Sequence, residues 1–323
     1  MQTRLTDILG IRHPVMLAGM GGVSYAPLVT AVSEAGGFGC LGASTMSNER
    51  MVAEIAEVRG ATDRPFGVDL LTAMPGDLVG QVEQIIEGGA SVFVAGLGVP
   101  AEVVELCHRH GVLVVNMCGK VDHARRALDA GCDIVVAQGT EAGGHTGLVA
   151  TFPLVPQIVD AVGDSIPVVA AGGIVDGRGL AAALALGADG VWVGTRFIAT
   201  PEARGVAGYK DALIRTGEDG TTISRAFSGK TMRVVRNEYT AFFDQHPEEL
   251  EPFPAQLGKS MREGAFHLGG DEDTDGVDPD RECYPTGQGV GAIRTLIPAA
   301  QLVAQFVDEA ERVLAGLGRY TEG

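Results

Sequence analysis

The chain has 323 residues, 46% of them hydrophobic and 20% charged, which suits one large globular domain or a domain with an insertion. Its net charge of -17 argues against nucleic acid or an anionic membrane as a partner, because both need clustered Lys and Arg. No apolar run approaches the roughly 18 residues of a membrane span. The opening MQTRLTDILGIRHP lacks a signal-peptide pattern, and the five cysteines are odd in number with no CxxC pair. Together these predict a cytoplasmic chain with neither a disulfide framework nor a metal site.

In chain order, short strand-like apolar runs alternate with longer helical patterns. The runs cover residues 15–18, 38–41, 66–71, 91–95, 112–117, 134–137, 167–171 and 190–193. Glycines at 60, 88–89, 111, 131 and 187 fall where helices should stop. Eight such pairs are the count of a (β/α)8 barrel, whereas a doubly wound open sheet usually has fewer strands. The regularity ends near residue 212. Residues 213–290 are polar and include the acidic run GDEDTDGVDPD at 270–280. That run lacks the spacing and terminal Glu of an EF-hand and reads as a solvated loop. Helical patterns are predicted at 232–247, 253–264 and 291–317. The domain division is therefore a barrel from 1–212 and 291–323, with 213–290 as a smaller, mainly helical lid subdomain inserted at its mouth.

Barrel ligands sit on the loops that follow the strands. Four of the eight strand ends are glycine-rich: 19–22, 139–147, 172–173 and 194. The last two follow the seventh and eighth strands, where a phosphate is commonly held by backbone N–H groups. Gly172, Gly173, Gly194 and Thr195 are the predicted phosphate cradle, weighed against tight turns alone. The stretch DIVVAQGTEAGGHTG at 133–147 places a single imidazole, His145, in a glycine-framed loop, where it is a candidate for proton transfer. Read in isolation, the same stretch is a turn with an incidental histidine. Among the other histidines only His267, in the lid near the mouth, merits a test. Tyr284 and Gln288 sit where the lid returns to the barrel and are candidates to face the ligand, against an equal reading as a turn and helix start. Arg196 either binds an anion or pairs with a rim acid.

Five motifs in order resemble the nitronate monooxygenase family, formerly the 2-nitropropane dioxygenases. They are Ala18-Gly19-Met20, Arg64-Pro65-Phe66-Gly67-Val68-Asp69-Leu70, Glu141-Ala142-Gly143-Gly144-His145, Ala170-Ala171-Gly172-Gly173-Ile174 with Asp176-Gly177-Arg178-Gly179, and Gly194-Thr195-Arg196-Phe197. The resemblance implies an FMN-dependent TIM barrel with an inserted lid. It places Ala18, Gly19, Met20, Gly21, Asp69, Gln138, Gly143, Gly144, Ala171, Gly172, Gly173, Gly194, Thr195 and Gln288 around the cofactor. His145 becomes the catalytic residue and, with Tyr284, a substrate contact. One position departs from the pattern: Asp69 stands where the family usually has Asn. A carboxylate only accepts hydrogen bonds, whereas an amide also donates, so Asp69 is expected to be protonated, or paired with Lys120 or an arginine, or to serve a different role.

The implied reaction is oxidation of alkyl nitronates, or of nitroalkanes, by O2 to a carbonyl compound and nitrite. The alternative is NAD(P)H-dependent reduction of enoyl thioesters, carried on coenzyme A or acyl-carrier protein, or of quinones, since flavin-dependent enoyl-acyl-carrier-protein reductases share the glycine-framed histidine. A reading from another class is a non-redox barrel acting on a sugar phosphate, or a binding protein that keeps only the phosphate site. The partner is a small molecule in each case, and the sequence sets no oligomeric state, monomer or homodimer.

Overall fold

The structure, a computed structural model, describes residues 1–72, 76–96 and 98–320. The apolar runs form strands β1 (Val15–Leu17), β2 (Gly39–Gly42), β3 (Phe66–Leu71), β4 (Val92–Gly96), β5 (Leu113–Cys118) and β6 (Ile134–Gln138). After a two-residue strand β7 (Gly144–His145) come β8 (Val168–Ala171) and β9 (Gly190–Val193). All except β7 are parallel and pair in the order β1-β9-β8-β6-β5-β4-β3-β2. The ring closes between β1 and β2: the Leu17 N–H donates to the Phe38 carbonyl at 2.8 Å, and the Phe38 N–H to that of Val15 at 2.9 Å. With helices between successive strands, this is the (β/α)8 barrel expected from the eight runs.

Alternation along each strand sorts the side chains. One set, including Met16, Phe38, Val94, Val115, Ile134, Val136, Val169 and Trp192, fills the barrel interior. The opposite set packs under the surrounding helices. Each fully buried aliphatic or aromatic side chain contributes about 1.5–3 kcal/mol. Leu5 and Leu9, on the first helix (Arg4–Leu9), belong to the interior cluster and plug the barrel from below. Arg4 fastens that plug by donating to both oxygens of Asp189 at 3.0 and 2.9 Å. The barrel is thus solid beneath, and its cavity opens only toward the strand C-termini.

The later segment has more strand than the sequence patterns suggest. β10 (Thr221–Ser224) pairs antiparallel with β11 (Met232–Val235), and β11 takes β7 as a third strand, with Met232 opposite His145. The helix expected from residue 232 begins at Glu238, because β11 occupies 232–235 and Asn237 caps the helix with its side chain. A second helix covers Ala255–Arg262. These elements enclose a small core of Phe227, Tyr239, Phe243 and Cys283, with Phe227 stacked on Tyr239 at 5.1 Å. The final helix is Ala299–Leu317 and starts later than residue 291, because Pro298 sets its N-terminus. It lies so close to the barrel that a Cβ on Gly177 would stand 2.4 Å from the Phe306 carbonyl oxygen. The glycines at 89, 111, 131 and 187 are left-handed just past helix ends, while Gly60 lies inside the helix Asn48–Ala61.

Candidate active site

A cavity of about 1240 Å³ opens at the C-terminal ends of the barrel strands. Its floor is the uppermost layer of the barrel interior: Ala18, Asp69, Met117, Gln138, Ala171 and Trp192. Gly19, Met20 and Gly21 line one side, and Gly143, Gly144 and His145 line another together with Gly172, Gly173, Gly194 and Thr195. Twelve of the fourteen expected cofactor positions need no further comment, because they meet at this one cavity. Asp69 meets there too, with a twist in its chemistry. Gln288 is the exception: its side chain is exposed, and only its N–H is used, donating to Glu141 O at 2.8 Å. Its neighbours Gly287 and Gly289 form the wall instead.

The loop after β8 carries two successive left-handed residues, Gly172 (φ +107°) and Gly173 (φ +73°). Side chains rarely adopt these conformations. The Gly173 and Thr195 amides make no backbone hydrogen bond to another described residue. Thr195 opens the short helix Thr195–Ile198, and its Oγ1 accepts the Gly287 N–H at 2.9 Å. Uncovered N–H groups on adjacent strand ends, with no Cβ in front of them, fit a phosphate. The apolar floor beside them fits a flat ring.

His145 is held from three directions. Its backbone sits in the ladder with Met232, its carbonyl accepts from Gln138 Nε2 at 2.9 Å, and its Nε2 lies 2.9 Å from Ser228 Oγ. The loop before it is anchored by Glu141, which accepts from the Thr151 N–H and hydroxyl, and by Arg233, which donates to Thr140 O at 2.9 Å. Desolvation, then the positive charge of Lys230, lowers the His145 pKa below its ordinary 6.5. The residue is nevertheless exposed by surface area, because solvent reaches it through the cavity. The lowered pKa favours the neutral imidazole at neutral pH. Its Nδ1 has no partner among the described residues.

Ser228 and Lys230 lie in a stretch that shows no helical or strand periodicity, and nothing in the sequence marks them as site residues. His267 is also at the wall, with Nδ1 2.6 Å from Glu282 Oε2 and its N–H donated to Glu282 Oε1. Tyr284 is not brought to the cavity. It is 1% exposed, stacks on Tyr209 at 4.9 Å, and its hydroxyl donates to Ala207 O. Arg196 is buried and donates to Thr295 O at 3.2 Å, with no acid paired to it among the described residues. Among the described residues there is no His, Cys, Asp and Glu group able to hold a metal, and no helix is long and apolar enough to cross a membrane.

Asp69 has no hydrogen-bond or ion-pair partner among the described residues. Lys120, its suggested partner, lies 3.6 Å from Asp122 instead. Desolvation alone raises the Asp69 pKa to about 8, so the protonated alternative is the one the structure supports. The sign for stability follows. A carboxyl that is neutral when folded and ionised when unfolded makes folding take up a proton, so stability falls as pH rises from about 4 to about 8. The full difference corresponds to roughly 6 kcal/mol, and the partial exposure of Asp69 at the cavity floor reduces this to about 1–3 kcal/mol. Asp69→Asn should therefore raise the melting temperature at pH 8 and leave it nearly unchanged at pH 4, as thermal unfolding across pH would show. Equal effects at both ends would contradict a neutral Asp69.

Comparisons with known proteins identify the family and match the fold. The family model described as Nitronate monooxygenase matches residues 2–78 and 71–309. A Mycobacterium tuberculosis protein named (3aS,4S,5R,7aS)-5-hydroxy-7a-methyl-1-oxo-octahydro-1H-indene-4-carboxyl-CoA dehydrogenase is 42% identical over 239 residues, 74% of this chain and 67% of that one. A probable nitronate monooxygenase of Staphylococcus haemolyticus is 34% identical, covering 82% of this chain and 87% of its own. Among solved structures, FabK from Thermotoga maritima superposes with a TM-score of 0.89 at 34% identity, covering 99% of both chains. Nitroalkane oxidase from Streptomyces ansochromogenes gives 0.82 at 31% identity, covering 97% of this chain and 99% of that one. The chain belongs to the nitronate monooxygenase family and is a flavin-dependent oxidoreductase.

Proposed function

We propose that the flavin is FMN and that the enzyme oxidises an alkyl nitronate, or its parent nitroalkane, with O2 to a carbonyl compound and nitrite. The observation that carries this reading is the neutral imidazole of His145, with Nδ1 unclaimed and Lys230 as the nearby cation. A neutral imidazole removes the acidic α-proton of a nitroalkane, and the cation stabilises the resulting anion. Gly172, Gly173, Gly194 and Thr195 would hold the FMN phosphate. Ala18, Gly19, Met20, Gly21, Asp69, Gln138, Gly143, Gly144 and Ala171 would frame the ring. Bound FMN supplies the electron acceptor; the protein positions the substrate, moves the proton and excludes water. Residues 213–290 serve as the lid over the barrel of 1–212 and 291–323, and His145 is the point where the two meet.

A second reading is NAD(P)H-linked redox chemistry on a thioester carried by coenzyme A or acyl-carrier protein, or on a quinone. It is favoured by the size of the cavity, which exceeds the usual 300–1,000 Å³ of ligand sites and leaves room for a bulky acyl group. The name of the 42%-identical relative points the same way. Anaerobic mixing separates the two. Bleaching of the flavin by nitronate but not by NADH or NADPH, with nitrite released once air is admitted, supports the first. Bleaching by a nicotinamide and not by nitronate supports the second and overturns the first.

A further inference from the structure

The floor of the cavity combines four apolar side chains, Ala18, Met117, Ala171 and Trp192, with two polar ones. The amide of Gln138 is already committed to His145 O. The carboxyl of Asp69 has no hydrogen-bond or ion-pair partner among the described residues. Its neighbours across the sheet are Gly42 on β2 and Val94 on β4, neither of which has a polar side chain. It is seated tightly: a Cβ on Gly19 would come 2.3 Å from Asp69 Cβ and 2.8 Å from its Oδ2. The acid therefore has a fixed place that depends on the glycine opposite.

No charge nearby would keep it ionised. On the strands around it, the titratable groups are Cys40 on β2 and Cys118 on β5, buried thiols whose pKa values are pushed up by desolvation. The strands β1, β4, β6, β8 and β9 carry none. Asn116 on β5 spends its amide on Ala95 O. Farther around the wall the His145 pKa is lowered; the cations there are Arg126, Arg225 and Lys230, none of which offsets the burial that raises the Asp69 pKa, while Lys120 pairs with Asp122.

We propose that Asp69 acts as a neutral carboxylic acid that donates a hydrogen bond to the flavin, and that its ionisation at alkaline pH selectively weakens the hold on reduced flavin. The proposal rests on flavin occupying this cavity. Reduction adds electron density to the ring, which a donor stabilises and a carboxylate, able only to accept, repels. No bond to carbon changes: the step is the loss of one proton from Asp69 to water. Asp69 thereby makes the flavin's reduction potential depend on pH more steeply than an amide at this position would.

The test compares holoenzyme with Asp69→Asn, which keeps the shape and a donor but cannot ionise. The flavin reduction potential is measured by dye equilibration from about pH 6 to about pH 10. The two curves should share one slope at the acidic end. Above the ionisation of Asp69, the reduced-to-oxidised ratio of the wild type should fall by up to about tenfold per pH unit relative to the variant, or about 30 mV. Parallel curves over the whole range, including a constant offset from an acid that is always ionised, would overturn the proposal. Infrared spectroscopy gives a readout that needs no variant flavin. The wild type should show a protonated-carboxyl carbonyl band at pH 6 that titrates away and is missing in Asp69→Asn, and its absence at pH 6 would equally overturn the proposal. Wild-type protein that takes up no flavin would instead overturn the cofactor reading on which the proposal stands.

Discussion

His145→Ala should lower the turnover of the reacting substrate by roughly 10²–10⁴-fold while flavin content stays unchanged, the usual size of a general acid–base contribution. The flavin is retained because its proposed phosphate anchors are on other loops, after β8 and β9. The pH profile adds a second signature. The lowered pKa of His145 places the acidic limb of kcat/KM below the ordinary histidine value, with activity lost as pH falls and the base becomes protonated. In the variant that limb should disappear. Unchanged turnover across nitronates, nitroalkanes, thioesters and quinones would exclude a role in proton transfer. Ser228→Ala offers a milder comparison, because it removes the partner of Nε2 and leaves the ring in place.

The second large effect is expected at Gly172. Its φ of +107° is a conformation that side chains rarely adopt, and a Cβ there would come 2.7 Å from Thr151 Oγ1 and 3.0 Å from Gly139 O. Gly172→Val would add backbone strain of about 1–3 kcal/mol. Its methyl groups would push against the Thr151–Glu141 clamp, and so against the loop that bears His145. The expected result is protein purified without bound flavin, with a dissociation constant for FMN weakened by about two orders of magnitude or more, roughly 3 kcal/mol, as fluorescence quenching on titration with FMN would report. A variant that binds FMN normally would mean the phosphate lies elsewhere.

The barrel was legible because its strands are short apolar runs closed by glycines, a pattern that survives without tertiary information. The assembly of the site was legible for the same reason: glycines at strand ends have few structural roles, and four such loops converge at one mouth. Three features were not legible. β7 is two residues long, Gly144–His145, and no periodicity can mark so short a strand. Tyr284 looked available because it lies near the return of the chain, yet packing against Tyr209 and a hydroxyl satisfied by Ala207 make it a core residue. Ser228 and Lys230 lie in a polar stretch, and only long-range pairing brings them to the imidazole. For Asp69 the sequence left protonation, pairing or a different role open, and setting the Lys120 pairing aside needed the position of Asp122.

The two-rung ladder between β7 and β11 divides responsibility within the enzyme. The proposed phosphate cradle lies on barrel loops, but the position of the imidazole is set by residues more than eighty positions later: Ser228 is 83 residues from His145. Sequence drift in residues 221–235 can in turn reposition the imidazole over an unchanged cofactor floor, which gives relatives on one barrel a route to different substrates.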